Sequence, residues 1–275
     1  MKYLIFGNGW IGNRLRTLLP NALVVSDRIN IPETIVKSLT KHRPDFVINA
    51  VGKTGRPNID WCESHPQDTI HSNVSVPAWM AQACESIPLI HIGSGCIYEG
   101  DKLYRETDAP NYHGSLYSRT KIMAEDYLKS YKNTLILRIR MPMDTIPNDR
   151  NLINKLVGYG KVIDTIPNSV TFLSTLAQAI EFLADNKKSG IYHVVDGELT
   201  HKEILDSYRR YVIPNHTWKS ITLEELASLT TTGRSNCTIS NLKLKDEGFP
   251  MLDVHQTLDE TMQKYADNYV MEDSP

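Results

Sequence analysis

Lys2-Tyr3-Leu4-Ile5-Phe6-Gly7-Asn8-Gly9-Trp10-Ile11-Gly12 decides how the rest of the sequence is read. The apolar run ends in glycine, Trp10 to Leu19 carries helical spacing, and Ala22 to Ser26 is a second apolar run. That succession predicts strand, helix, strand. The glycines fit G-x-G-x-x-G in the strand-to-helix context that gives the motif its meaning. The first allows a tight turn, the second lets backbone approach a pyrophosphate, and the third lets the helix pack closely, with its N-terminus favouring the anion. The reading predicts dinucleotide binding at Gly7, Asn8, Gly9, Trp10, Ile11 and Gly12.

The alternation continues outward from this unit. Helices are expected over Pro32 to His42, Gln67 to Cys84 and Ser115 to Tyr131, and strands over Asp45 to Asn49, Pro88 to Ile92 and Thr134 to Ile139. Short buried strands separated by helices specify an α/β fold, a Rossmann-type doubly wound parallel sheet with ligands at the carboxyl ends of the strands. Past Arg140 the texture changes to Pro142, Pro147, Asn148 and Asp149, with helices expected over Asn151 to Val157, Leu173 to Ala184, His201 to Tyr211 and Leu223 to Leu229. A smaller C-terminal substrate-binding lobe is expected there. Residues 1–142 with part of 162–190 form the nucleotide-binding domain, and 143–161 with 191–275 form the lobe. Met271 to Pro275 reads as a frayed tail.

Composition excludes several classes. A chain of 275 residues with 41% hydrophobic and 23% charged residues can fill a core, and its net charge of -2 provides no basic field for a nucleic acid. The first apolar run is too short for a signal peptide, and no run reaches membrane-spanning length, so a cytosolic location is expected. Cys62, Cys84, Cys96 and Cys237 match neither a disulfide framework nor a zinc pattern and read as free thiols. His91 and His113 have no partner spacing for a metal, and none is assigned. The assembly expected, where the chain self-associates, is a homodimer.

The second strand ends at Ser26-Asp27-Arg28, where an acidic residue would hold a ribose 2′-hydroxyl and an arginine a 2′-phosphate. Arg28 favours NADP over NAD. Tyr117 and Lys121, four residues apart on an expected helix, share one face. A phenol titrates near pH ~10, and bringing it towards neutrality takes about 4 kcal/mol of phenolate stabilisation, which a nearby ammonium in a dry site can supply. Lys121 is also placed to hold the nicotinamide ribose. Ser94, after the strand Pro88 to Ile92, offers a hydroxyl to a substrate carbonyl beside that phenol. Lys53 and Thr54 follow the third strand, near the expected cleft.

The glycine loop, Asn49-Ala50-Val51-Gly52, Ser94 and Tyr117-x-x-x-Lys121 resemble the extended short-chain dehydrogenase/reductases. Four further stretches are similar to the plant UDP-4-keto-6-deoxyglucose 3,5-epimerase/4-reductases, relatives of dTDP-4-dehydrorhamnose reductase that complete UDP-L-rhamnose. They are Gly55-Arg56-Pro57-Asn58-Ile59-Asp60-Trp61-Cys62-Glu63-Ser64-His65, Gly95-Cys96-Ile97, Arg138-Ile139-Arg140-Met141-Pro142 and Ile166-Pro167-Asn168-Ser169. The resemblance continues through His201-Lys202-Glu203-Ile204-Leu205 and Arg234-Ser235-Asn236. The plant loop differs in having one more residue between its first two glycines.

The resemblance implies two reactions in one pocket, inversion at sugar carbons 3 and 5 followed by NADPH-dependent reduction of the carbon-4 ketone. It places Cys96 and Lys155 as the epimerisation pair, Ser94, Tyr117 and Lys121 at the reduction, Asn49, Ala50 and Gly52 at the cofactor, and Arg234 at the nucleotide diphosphate of a UDP-linked 4-keto-6-deoxy hexose. Two other readings stay open: a 4-keto-sugar reductase without epimerisation, acting on a dTDP- or UDP-linked sugar, and a non-catalytic NADP-binding regulatory subunit. Cys96 and Lys155 count against the first, and the intact Ser94, Tyr117 and Lys121 against the second. A dehydratase is disfavoured because Gly95-Cys96 stands where that chemistry needs an acidic pair.

Overall fold

In the computed structural model, which describes residues 1–272, the opening run forms strand Tyr3–Phe6 and helix Trp10–Leu18 as expected. Six strands make one sheet, ordered Gly190–His193, Thr134–Ile139, Leu89–Ser94, Phe46–Asn49, Tyr3–Phe6, Ala22–Val25. Every neighbouring pair is parallel. The first strand therefore sits between the second and the third, so the strand order reverses beside it. Ligands bind at such a switch point, outside the carboxyl ends of the strands.

Period-two alternation assigns the two faces. Tyr3, Ile5, Ile48, Ile90, Leu135 and Leu137 pack with Leu15 and with Leu173, Leu176, Ile180 and Leu183 on one face. Leu4, Phe6, Val47, Leu89 and Ile136 pack with Ile35, Leu39, Val76, Met80 and Leu128 on the other. The four inner strands are thus buried on both sides, which requires the near-continuous apolar runs seen in the sequence.

A second apolar cluster gathers Met143, Ile153, Leu156, Phe172, Leu205, Tyr208, Leu258 and Met262 around a three-stranded sheet, ordered Gly197–Leu199, Asn168–Phe172, Pro142–Met143. Helices Leu152–Gly158, His201–Tyr211 and Val254–Glu272 contribute to it. The last of these carries Met271 and Glu272 of the expected tail, whose other three residues lie outside the described ones. Among the described residues no helix is long and apolar enough to cross a membrane.

Two expectations need correction. The single helix read over Gln67 to Cys84 is Pro66–Ile70, a π-helical turn at His71–Ser75, and Val76–Ala83. Pro77 has no N–H to return to the Asn73 carbonyl, so an unbroken α-helical ladder cannot cross this point. Residues 190–193, mostly assigned to the small lobe on sequence grounds, form the edge strand of the large sheet, and Leu244 and Phe249 pack into its core. This strand opens on an exposed glycine and carries only two buried residues, too few to mark it as part of the sheet.

A buried ion pair ties helix Leu116–Leu128 to this sheet. Arg138, in strand Thr134–Ile139, donates from Nε to Glu125 Oε2 at 2.8 Å and from Nη2 to Oε1, and both side chains are almost wholly buried. Nη1 also donates to the Tyr98 hydroxyl at 2.6 Å. Removing one partner leaves the other charge buried and unpaired, so Glu125→Gln should cost about 3–5 kcal/mol. A urea midpoint within error of the parent would refute that.

Asp196 supplies a pH-dependent counterpart. Its carboxylate accepts the Phe172 N–H at 2.8 Å and the Thr175 hydroxyl at 2.5 Å at the start of helix Leu173–Asp185, and burial pushes it up to about 7. Because the folded value is raised, the folded chain holds a proton that the unfolded chain has released between about pH 4 and 7, so this group's contribution declines as pH rises through that window. Asp196→Asn should raise the thermal midpoint by several degrees at about pH 8 and hardly at all at about pH 4. Equal effects at the two pH values would contradict the assignment.

Candidate active site

Register brings Phe6 level with Asn49, so the turns leaving the first and third strands lie side by side. Gly7 has φ +115, and a Cβ there would stand 2.5 Å from the Ala50 carbonyl carbon. A Cβ on Gly12 would stand 1.9 Å from the Gly7 carbonyl oxygen, so any larger residue would force the helix off the turn. At Gly9 a Cβ would meet no protein atom within 4 Å, and the fold itself makes no demand for glycine there. The Asn8 side chain accepts a 2.8 Å bond from Asn13, whose amide also donates to the Gly9 carbonyl. Trp10 and Ile11 pack against the sheet core. Asn49 is wholly buried, while Arg28 is exposed past the second strand and has no ion pair among the described residues.

Strand Leu89–Ser94 runs two residues beyond its expected end and carries Ser94 to the edge of the cleft. Ser94 Oγ accepts the Cys96 N–H at 3.1 Å and hydrogen-bonds the Tyr117 hydroxyl. Helix Leu116–Leu128 starts at Ser115, whose Oγ accepts the Ser118 N–H at 3.1 Å, and Ser118 Oγ donates to the Cys96 carbonyl at 2.7 Å. These bonds fix the start of the helix against the loop that carries Cys96. One turn beyond Tyr117, the buried Lys121 donates from Nζ to the Ile92 carbonyl at 2.9 Å.

The electrostatics converge on Cys96, the one cysteine of the four that is not buried. The Tyr117 phenol is pushed up, first by burial and then by Cys96, against the opposing hydrogen bond from Ser94. Burial brings Lys121 down to about 8, with Glu125 and Cys96 pulling it back. Burial and Arg150 lower Lys155, and Cys96 again opposes. Tyr117, Lys121 and Lys155 therefore all sit within electrostatic reach of one thiol. The expectation that Lys121 draws the phenol towards neutrality needs correction, because within this protein Tyr117 is held in its protonated form.

The expected substrate contacts are engaged with the protein. The Lys53 N–H donates to Asn73 Oδ1 at 2.7 Å, and its ammonium lies 5.3 Å above the Trp61 ring. Thr54 Oγ accepts from Arg150 at 2.7 Å. Arg234 donates to Asp60 at 2.8 Å, and the guanidinium holds that carboxyl low, aided by the N–H groups of Thr231 and Thr232. Arg234 thus joins the late loop to the segment after the third strand.

Sequence reasoning missed two residues here. Arg140, fully buried, donates to the Cys96 thiol at 3.4 Å, to the Gly95 carbonyl at 3.3 Å and to Ser235 Oγ at 3.0 Å from Nη1, and to Asn168 Oδ1 and the Ser235 carbonyl from Nη2. It lay in a quoted stretch with no role attached, since nothing local marks an arginine as buried. Asn73, in the π-helical turn, also donates to the Lys53 carbonyl and to Thr120 on helix Leu116–Leu128. Its signal was Pro77, which sets the turn.

The chain matches the RmlD substrate binding domain model over residues 1–263. It is 40% identical to an Arabidopsis thaliana bifunctional dTDP-4-dehydrorhamnose 3,5-epimerase/dTDP-4-dehydrorhamnose reductase, across 94% of this chain and 91% of that one. It is 37% identical to a trifunctional UDP-glucose 4,6-dehydratase/UDP-4-keto-6-deoxy-D-glucose 3,5-epimerase/UDP-4-keto-L-rhamnose-reductase of the same plant, covering 97% of this chain but only 42% of that longer protein. Among solved structures, the L780 UDP-rhamnose synthase of Acanthamoeba polyphaga mimivirus superposes with a TM-score of 0.89 at 30% identity, over 96% of this chain and 99% of that one. With its Rossmann-like sheet, its glycine turn and Tyr117 and Lys121 on one helix, this chain belongs to the RmlD substrate binding domain family.

Proposed function

We propose that this chain converts UDP-4-keto-6-deoxy-D-glucose to UDP-L-rhamnose, inverting carbons 3 and 5 and then reducing the carbon-4 ketone with NADPH. The observation that carries the reading is the convergence of Cys96 on Tyr117, Lys121 and Lys155. A reductase alone has no use for a thiol and a second lysine in reach of its acid. UDP, rather than dTDP, rests on the mimiviral and the longer plant relatives.

The residues present fit a dinucleotide. The Gly7 turn and the Ala50 turn form one backbone edge at the switch point, Gly9 leaves room for close approach, and Arg28 stands free beyond the second strand for a 2′-phosphate. NADPH, when bound, supplies the hydride. The protein's part is to hold, orient and protonate.

Inversion requires a base on one face of the sugar ring and an acid on the other, with the ketone storing charge as an enolate between them. Cys96 takes the role of base and Lys155, on helix Leu152–Gly158, that of acid. The Lys155 ammonium makes no hydrogen bond or ion pair among the described residues, so it is not spent on structure. Arg140 holds the Cys96 sulfur at 3.4 Å and orients it.

In the reduction, Tyr117 gives its proton to the oxygen at carbon 4 while Ser94 donates a second hydrogen bond to that oxygen. A phenol pushed up by its surroundings is well suited to arrive protonated. Lys121 then stabilises the phenolate. Arg234, with its charge shared by Asp60, is the group proposed for the diphosphate, and Lys53 and Thr54 line the approach.

Tyr117→Phe should lower NADPH consumption about 10²–10⁴-fold while leaving NADPH binding in place. Consumption at the parent rate would remove Tyr117 from the mechanism. Cys96→Ser should stop deuterium uptake from solvent at carbons 3 and 5, followed by NMR, yet still permit reduction of a sugar epimerised beforehand. Undiminished uptake would remove Cys96 from the inversion.

A further inference from the structure

Beneath Lys121 lies a buried pair of side chains that the proposed mechanism does not use. Asn49 and His91 are register partners on neighbouring parallel strands, and both are almost entirely buried. The Val51 N–H donates to Asn49 Oδ1 at 3.0 Å. An N–H can only donate, so the atom facing it must be the amide oxygen, and the Asn49 NH₂ is then turned towards His91 Nδ1, 3.0 Å away. The Asn49 NH₂ is also only a donor, so Nδ1 must accept. A neutral imidazole carries its one proton on the other nitrogen, and Nε2 lies 3.5 Å from Lys121 Nζ.

We infer that Asn49 locks His91 as its Nε2–H tautomer, and that His91 is a positioning residue that turns this N–H on Lys121 and so tunes the protonation of the catalytic amine. Burial supports the neutral ring, with the Lys121 charge adding to it, and both hold His91 well below the ordinary imidazole value. The Lys121 amine sits between two features of unlike effect. The Ile92 carbonyl accepts from it at 2.9 Å and is satisfied by either protonation state, whereas an opposing N–H disfavours the ammonium and can donate only to the free amine's lone pair. The 3.5 Å separation is what two N–H groups turned on one another would adopt.

Other charges around Lys121 pull the opposite way. Glu125, one turn along the same helix, and Cys96, on the loop after strand Leu89–Ser94, both favour its charged form. The Glu125 carboxylate is tied to Arg138 on the next strand. Lys121 is therefore balanced between an N–H below and two acidic groups beside it, and His91 is the member of this set that can be altered without disturbing an ion pair.

The inference rests on the reading of Tyr117 and Lys121 as the reacting pair, and two measurements keep its fate separate from that reading. In the parent protein with ¹⁵N-labelled histidine and no added substrate, the His91 signals, identified by their loss in His91→Gln, should report a protonated Nε2 and an unprotonated Nδ1 across neutral pH. An Nδ1–H tautomer or an imidazolium there would overturn the inference while leaving Tyr117 untouched. For function, the rate of NADPH consumption should fall as pH rises through the Lys121 titration. His91→Gln places an amide near the former Nε2 and lets its oxygen face the ammonium, so that limb should move upward by about one pH unit. A limb that stays where the parent has it, in a variant that binds NADPH normally, would sink the tuning role.

Discussion

Arg140 brings a full positive charge into the interior, and the site is built around satisfying it. Its guanidinium collects the Gly95 carbonyl, the Cys96 thiol, Asn168 and Ser235, which come from the loop after the fourth strand, the small sheet and the late loop. An unpaired charge in such a place costs several kcal/mol, so these acceptors must arrive together. Among the described residues Nε finds no partner, and no carboxylate is among the acceptors. Assembling the two lobes and placing the thiol are thus one event, because the same side chain does both.

A second set of buried bonds fixes helix Leu116–Leu128 relative to that point. Glu125 and Arg138 hold its C-terminal half to the sheet, Ser118 ties its first turn to the Cys96 carbonyl, and Thr120 receives the Asn73 amide. Tyr117 and Lys121 lie between these anchors. With both ends fixed, the phenol cannot drift from Ser94 without breaking bonds that water cannot replace. Rotation of the helix would expose Glu125 or strand Arg138 alone.

The sequence made the fold legible where one physical demand acts on adjacent residues. Gly7 and Gly12 must be small because backbone passes within the radius of a methyl group, and the first strand, buried along its whole length, must be apolar on both faces. Such demands leave a local trace. The edge strand Gly190–His193, the π-helical turn at His71–Ser75 and the burial of Arg140 arise from packing against distant residues, and local sequence does not encode them. His91 shows the difference most plainly. Its sequence context suggests a structural histidine, and its tautomer follows only once Val51, Asn49 and Lys121 are seen around it.

The order of the two proposed reactions has an electrostatic basis in the same arrangement. Negative charge on Cys96 makes the Tyr117 phenol harder to ionise and favours the ammonium forms of Lys121 and Lys155. When the thiol is ready to act as base, the phenol is at its poorest as an anion, and the acid across the ring is at its most protonated. Proton removal from the sugar neutralises Cys96 and lifts that constraint, which eases formation of the Tyr117 phenolate as its proton leaves for carbon 4. One thiol, by its charge alone, would thus bias the site first towards inversion and then towards reduction, with no movement of the backbone that carries either group.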